Sequence, residues 1–227
     1  MLAGGCDDEQ AVDSEVEPEA NLVAPGVDPF CNTRPKIEFC EDFDTAELPG
    51  AFGEQRSNLS TMTLDSDEAS SLPRSLIITV ESGGYGELRQ SFERNGKLRL
   101  FGMIYVPELG EGEVEIGSFR LGDYRVGFGA SADGSLWVYE GDRRWMGNGS
   151  LPVGRWASFR WDVNLYNDGT GTANLRFGND VIVITDELVT PIDSTEVPVV
   201  NVGLSEATGA WSVRFDNLTV AVDEVVQ

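Results

Sequence analysis

Histidine is missing from the 227 residues, and bases are scarce: 16 against 39 acids, for a formal net charge of −23. Without histidine there is no Ser-His-Asp triad, no Cys-His dyad and no histidine-ligated zinc or iron site. Three cysteines cannot make a four-thiolate zinc site. Any catalysis must rest on carboxylates, Tyr, Lys, Arg or a hard, oxygen-bound metal. So negative a chain repels phosphate backbones, which argues against a nucleic-acid partner. No stretch reaches the ~18 apolar residues that a membrane-spanning helix needs, and no internal repeat is present.

The amino end carries an address. Leu2-Ala3-Gly4-Gly5-Cys6 sets small residues directly before a cysteine, and the sequence then turns polar. This resembles the lipobox of bacterial lipoproteins, which implies that Cys6 carries a thioether-linked diacylglycerol and anchors the chain to a lipid bilayer. Two or more acyl chains, at about 0.8 kcal/mol per buried CH₂, give stable anchoring. Ala3 stands where that family prefers Leu or Val, and the basic and apolar segments of its signal are missing. Met1 is therefore read as lying downstream of the true start or at the edge of an excised segment. Cys31 and Cys40 flank the turn-prone Asn32-Thr33-Arg34-Pro35 and can pair, leaving Cys6 as the odd one. A Cys31–Cys40 bridge implies an oxidising compartment, so the expected location is the cell envelope after export. Closing so short a loop contributes on the order of 2–3 kcal/mol. Residues 7–30 are acidic, poor in aromatics and broken by Pro18, Pro25 and Pro29. Such a segment cannot bury enough apolar area to order itself and reads as a disordered tether.

From about residue 38 the pattern is almost all strand. In 157–165 the odd positions are apolar and the even ones polar, which presents one face to a core and one to water. Leu98–Val106 and Val181–Ile184 are apolar on both faces and read as covered, central strands. Ser82-Gly83-Gly84, Asn95-Gly96, Asp133-Gly134, Asn167-Asp168-Gly169 and Gly178-Asn179-Asp180 read as turns. Asn95-Gly96 and Asp133-Gly134 suit type I′ hairpins, whose two central residues both need positive φ. Trp211, Val213 and Phe215 share one parity and Leu218, Val220 and Val222 the other, so a bulge is expected at Asp216-Asn217. About twelve to fourteen strands at such spacing must stack as two sheets or close.

Three short segments carry a resemblance: Cys40-Glu41-Asp42-Phe43-Asp44, Gly154-Arg155-Trp156, and Phe215-Asp216-Asn217-Leu218-Thr219-Val220. Together they resemble the concanavalin A-like lectin/glucanase group, in particular its laminin-G-like jelly rolls. The resemblance implies an all-β, two-sheet antiparallel jelly-roll sandwich. That group includes lectins, carbohydrate-binding modules, glycosidases and lyases, so it selects no single function. It also implies structural calcium held by Asp42 or Asp44 facing Asp216, with Asn167-Asp168-Gly169 as a second oxygen-rich turn.

Two further constellations bear on chemistry. Glycosidases of this fold carry alternating acids on one strand, and retention needs two carboxyls about 5–5.5 Å apart. Aligned on Glu113 and Glu115, the third position falls on Gly117 or Ser118, which cannot serve, so the run reads as a solvated edge of an acidic strand. In Leu136-Trp137-Val138-Tyr139 the apolar pair suits the core and turns Trp137 and Tyr139 outward. With Tyr105, Trp145, Arg125, Arg143 and Arg144 on the same side they would make a glycan-binding platform. The alternative is that loops or the other sheet cover these rings as ordinary packing.

The expectation is therefore a lipobox remnant at 1–6, an acidic tether at 7–30 and a β-sandwich at 31–227. The expected function is a non-catalytic binding module of a cell-envelope lipoprotein, recognising glycan or another surface polymer. Two alternatives stand beside it: a polysaccharide-degrading glycosidase or lyase of the same fold, and a purely structural envelope protein.

Overall fold

The computed structural model describes residues 29–32, 38–44, 47–93, 96–166, 168–189 and 196–223. Cys6, the acidic tether up to residue 28, and Asn95 and Asn167 lie outside the described residues. After one helical turn, α1 (Pro29–Asn32), come β1 (Phe39–Glu41), β2 (Glu54–Asp65), β3 (Ser75–Ser91), β4 (Lys97–Tyr105), β5 (Glu113–Leu121), β6 (Tyr124–Ser131) and β7 (Ser135–Glu140). They are followed by β8 (Arg143–Ser150), β9 (Trp156–Leu165), β10 (Thr170–Phe177), β11 (Asp180–Val189), β12 (Pro198–Ser205) and β13 (Trp211–Asp223).

The fold is a two-sheet antiparallel jelly-roll sandwich. One sheet runs β11-β10-β9-β4-β13 and the other β12-β5-β6-β7-β8, and β3 joins them. Leu76 to Val80 of β3 pair with β13, whereas Gly86 to Ser91 pair with β12. Strand β2 follows β3 across both halves. Ser82-Gly83-Gly84, expected as a turn, lies inside β3 where it passes from one sheet to the other. There Gly83 has φ +77, and a side chain on Gly84 would meet the Leu59 carbonyl of β2 at 2.6 Å.

Alternation fills the space between the sheets. Leu76, Ile78 and Val80 of β3, Phe159 and Trp161 of β9 and Phe128 of β6 are buried in one core. Phe128 meets Trp161 across the sandwich at 5.2 Å and Phe159 at 5.9 Å between ring centroids. The parity slip in the last strand is real: the β13–β4 register shifts between Asp216 and Thr219, and Asn217 has φ +52. The hairpin at Asp133-Gly134 departs from type I′. Only Gly134 takes positive φ (+82), and its N–H donates to the Ser131 carbonyl at 2.8 Å.

At the far edges the sheets come together. The Trp145 indole N–H of β8 donates to Glu187 of β11 at 3.1 Å, and the Val189 N–H donates to Glu140 of β7 at 2.7 Å. Strand β11 ends its sheet, and Val181 and Ile184 are exposed, so the expectation of a strand covered on both faces fails there. Its apolar character served a seam rather than a central position. Cys31 and Cys40 form the disulfide expected of them, tying α1 to β1.

Trp161 has no exposed surface, so truncating it leaves a cavity that neighbouring rings cannot fill. Trp161→Ala is expected to cost about 3–5 kcal/mol, measured as a lowered urea midpoint with an unchanged slope.

Candidate functional site

Strands β2, β3, β12, β5, β6 and β7 lie side by side. The alternate residues that do not enter the core form an open groove of about 200 Å³. Arg56 comes from β2, Tyr85, Glu87 and Arg89 from β3, and Asn201 and Ser205 from β12, while Arg120 and Arg125 come from β5 and β6. Glu206 closes one side. A larger hollow, about 880 Å³, lies at the seam between the end of β8, the start of β9 and the β10–β11 turn. It has Arg155 and Asp180 as its ionisable lining and no cluster of them.

A bulge in β5 sets what the groove presents. The β5–β6 register shifts between Glu115 and Gly117. Val114 and Ile116 enter the core before it, Phe119 and Leu121 after it. Glu115 and Ser118 therefore both reach the groove face although they differ in parity.

Glu115 is the electrostatic centre of the groove floor. It is 1% exposed and accepts hydrogen bonds from Arg125 Nη2 at 2.7 Å to each oxygen, from the Ser205 hydroxyl at 2.9 Å and from the Tyr139 hydroxyl. Burial pushes its carboxyl above the ordinary range, against the pull of the Arg125 charge. Burial works against the Arg125 charge as well, but the Glu115 carboxylate outweighs it and the guanidinium is held ionised. Burial and the neighbouring carboxylate push the Tyr139 phenol up, so it stays neutral. Glu113 is held below its usual range by hydrogen bonds from Arg144 at 2.7 and 3.0 Å.

Three groups in the groove are not so engaged. Arg120 makes no ion pair or hydrogen bond among the described residues. Asn201, 2% exposed, donates from Nδ2 to Ser118 at 3.0 Å, and its Oδ1 has no partner among the described residues. The Tyr85 hydroxyl likewise makes no hydrogen bond among the described residues, and the Arg56 guanidinium lies 5.6 Å from its ring centre.

Glycines let the rings lie flat on this floor. A side chain on Gly127 would meet the Tyr139 ring at 2.5 Å, and one on Gly129 would meet the Val114 carbonyl at 2.2 Å and Trp137 at 2.3 Å.

The expected platform is only partly assembled. Trp137, Tyr139, Arg125 and Arg144 share the groove side, with Arg144 4.2 Å from the Trp137 ring centre and Arg125 5.6 Å from that of Tyr139. Trp137 is only 4% exposed, so it is a floor element under Arg144 and not an open stacking surface. Tyr105 sits on β4 of the other sheet, 5.6 Å from Trp156. Trp145 turns toward β11, and Arg143 covers its ring at 5.1 Å and bonds Glu140. The acid run of β5 is not a solvated edge: β5 lies inside its sheet, and Glu113 and Glu115 are both salt-bridged.

The calcium set is not gathered either. Among the described residues no three acidic side chains cluster closely enough to hold a cation. Asp216 instead accepts the backbone N–H of Ser71 and of Asn217, each at 2.7 Å. Asp42 accepts the Asp44 N–H at 3.2 Å.

Sequence reasoning missed Tyr85, Arg89, Arg120, Asn201 and Arg56. The signal for β3 was present, since Tyr85, Glu87 and Arg89 alternate with Gly86 and Leu88. It was masked by reading Ser82-Gly83-Gly84 as the end of a strand.

No family model and no curated protein sequence matches the chain. Among solved structures, the endo-β-1,4-glucuronan lyase of the fungus Trichoderma reesei superposes with a TM-score of 0.62 at 15% identity, covering 82% of this chain and 96% of that one. A cellulose-induced protein, Cip1, gives 0.63 at 16%, covering 84% and 100%. A PL-14 alginate lyase from Aplysia kurodai gives 0.58 at 12%, covering 76% and 92%. At these identities the likeness establishes the fold alone, a β-sandwich jelly roll. The expectation of a non-catalytic binding module is corrected here: two of these three neighbours are named as polysaccharide lyases, which favours the alternative of a polysaccharide-degrading enzyme.

Burial pushes Asp216 up to about 6 from an ordinary 3.8. Between those values the folded chain keeps a proton that the unfolded chain has lost, so stability falls as pH rises through that window. Asp216→Asn is expected to remove that loss, roughly 2 kcal/mol, relative to the parent. Urea midpoints of the two proteins at pH 4 and pH 7 measure the difference.

Proposed function

We propose that the chain is a polysaccharide lyase that cleaves a uronate-bearing polymer by β-elimination in the Arg120–Asn201–Tyr85 groove. The observation that carries this reading is the unengaged guanidinium of Arg120 beside a buried carboxamide and an unengaged phenol. Elimination next to a uronate needs those three things: a cation and a hydrogen-bond donor on the carboxylate, and a proton-transfer group. The names of the structural neighbours, glucuronan lyase and alginate lyase, support it.

In this reading Arg120 and the second Nδ2 hydrogen of Asn201 hold the C5 carboxylate and stabilise the charge that develops there. Tyr85 takes the proton from C5 on its phenolic oxygen. The C5–H electron pair becomes the C4=C5 double bond, and the C4–O bond breaks with its own pair. The leaving oxygen takes the proton back from Tyr85. Tyr139 is unsuited to this role, since its hydroxyl is committed to Glu115. Hydrolysis by a carboxylate pair is disfavoured because Glu113 and Glu115 are both tied to arginines.

Tyr85→Phe and Arg120→Ala are each expected to lower kcat about 10²-fold or more, followed by the ultraviolet absorbance of the unsaturated product. Turnover unchanged in both variants would remove the proposal.

We propose further that the enzyme works at the cell envelope, lipid-anchored through Cys6. The Cys31–Cys40 disulfide supports export to an oxidising compartment. With an export signal supplied, the parent is expected in the membrane fraction and Cys6→Ser in the soluble one.

A further inference from the structure

Resting on the lyase reading, we propose that the substrate is sparsely charged: a polysaccharide in which single uronates are separated by neutral sugars, and not a continuous polyuronate. The basis is the charge inventory of the groove. Five arginines line or flank it, and four are matched by carboxylates of the protein itself. Arg89 meets Glu87 at 2.9 Å and Glu54 at 3.9 Å, while Arg56 meets the same two at 3.5 and 3.9 Å. Arg125 is held by Glu115 at 2.7 Å and by Glu206, and Arg144 by Glu113 at 2.7 Å. Arg120 remains.

The matched arginines differ in what they can release. The Glu87 and Glu115 side chains are 7% and 1% exposed. Drawing Arg125 onto a substrate carboxylate would leave Glu115 an uncompensated buried charge, and drawing Arg89 away would leave Glu87 with only the 3.5 Å contact to Arg56. These two guanidiniums therefore serve the protein's own acids and are not open positions for ligand carboxylates.

The acids that border the groove are hostile to a second carboxylate. Glu206 and Glu54 are 61% and 58% exposed at the groove rim. An anionic group approaching them meets like charge, whereas a sugar hydroxyl finds acceptors. Ser205 and Asn201 add neutral hydrogen-bonding partners along the floor. A polymer with a carboxylate on every residue would bring several anions against a groove with one free cation among the described residues, on a chain of net charge −23. A polymer with one carboxylate per several sugars places it at Arg120 and lays hydroxyls against the rest.

The test uses the full chain and two classes of polymer. Polyglucuronate and alginate carry a carboxylate on every sugar; gellan carries one glucuronate per repeat among neutral sugars. Retention of the Tyr85→Phe variant in affinity gels containing each polymer reads recognition without turnover, and product absorbance with the parent reads cleavage. Preferential retention by gellan, with kcat/KM about tenfold or more above that on the polyuronates, supports the inference. Glu206→Gln is expected to narrow that gap by raising activity on polyuronates. Equal or stronger retention and cleavage with polyglucuronate or alginate would overturn the sparse-charge inference and leave the lyase reading intact. Retention by gellan with no unsaturated product from any polymer would overturn the lyase reading and leave the charge-spacing rule standing. Retention by none of them overturns both.

Discussion

Strand β3 must satisfy its backbone hydrogen bonds in two sheets at once, and the remainder of the architecture is arranged around that demand. A strand of 17 residues cannot stay flat across a sandwich, so it bends where Gly83 and Gly84 allow positive φ and close approach of β2. Before the bend its alternate residues supply Leu76, Ile78 and Val80 to the core. Beyond it, Leu88 points inward while Tyr85, Glu87 and Arg89 line the groove. The same bend brings β12 beside β3 and thus Asn201 opposite Arg89. One local conformational permission thereby joins the layers and furnishes half of the candidate site.

The chain is strongly acidic, yet its groove floor is close to charge balance. Buried Glu115 and Glu87 each require a cation where they stand, and arginines from neighbouring strands provide it. Those ion pairs are better understood as fixing geometry than as adding stability, because desolvation offsets much of their attraction. Their fixed positions make Arg120 distinct. Salt screens interactions beyond about 10 Å at 0.1 M, so recognition in the groove depends on these close contacts more than on the overall negative charge.

How far the sequence could be read depended on the kind of information each residue carries. Period-two alternation correctly turned Trp137 and Tyr139 away from Leu136 and Val138, and the parity slip at Asp216-Asn217 marked its bulge. Tyr105 faces outward too, but alternation gives only the side of a residue's own strand and not which sheet that strand joins. Tyr105 therefore came to lie on the other sheet. Trp145 failed for a related reason: its strand ends a sheet and closes onto β11, turning the ring to the seam. The bulge in β5 was silent because its extra residue falls at Ile116-Gly117, where glycine leaves no polarity to show the slip. Arg120 and Asn201 meet through pairing between strands some eighty residues apart, which no local pattern records. The glycine-rich stretch in β3 was misread because flexibility can end a strand or bend it.

The glycines beneath Tyr139 and Trp137 bear on how such a protein can change over time. Any side chain at Gly127 or Gly129 would strike a ring or a backbone carbonyl, so the floor is closed to gradual adjustment by single substitutions. New ligand preferences must be acquired at the rim, where Glu54 and Glu206 project into water and can be exchanged without disturbing a neighbour's packing. The groove thus separates a part that selection can only preserve from a part that it can vary. Divergent descendants of this scaffold would keep their ring-on-glycine floor while differing in the charges that border it.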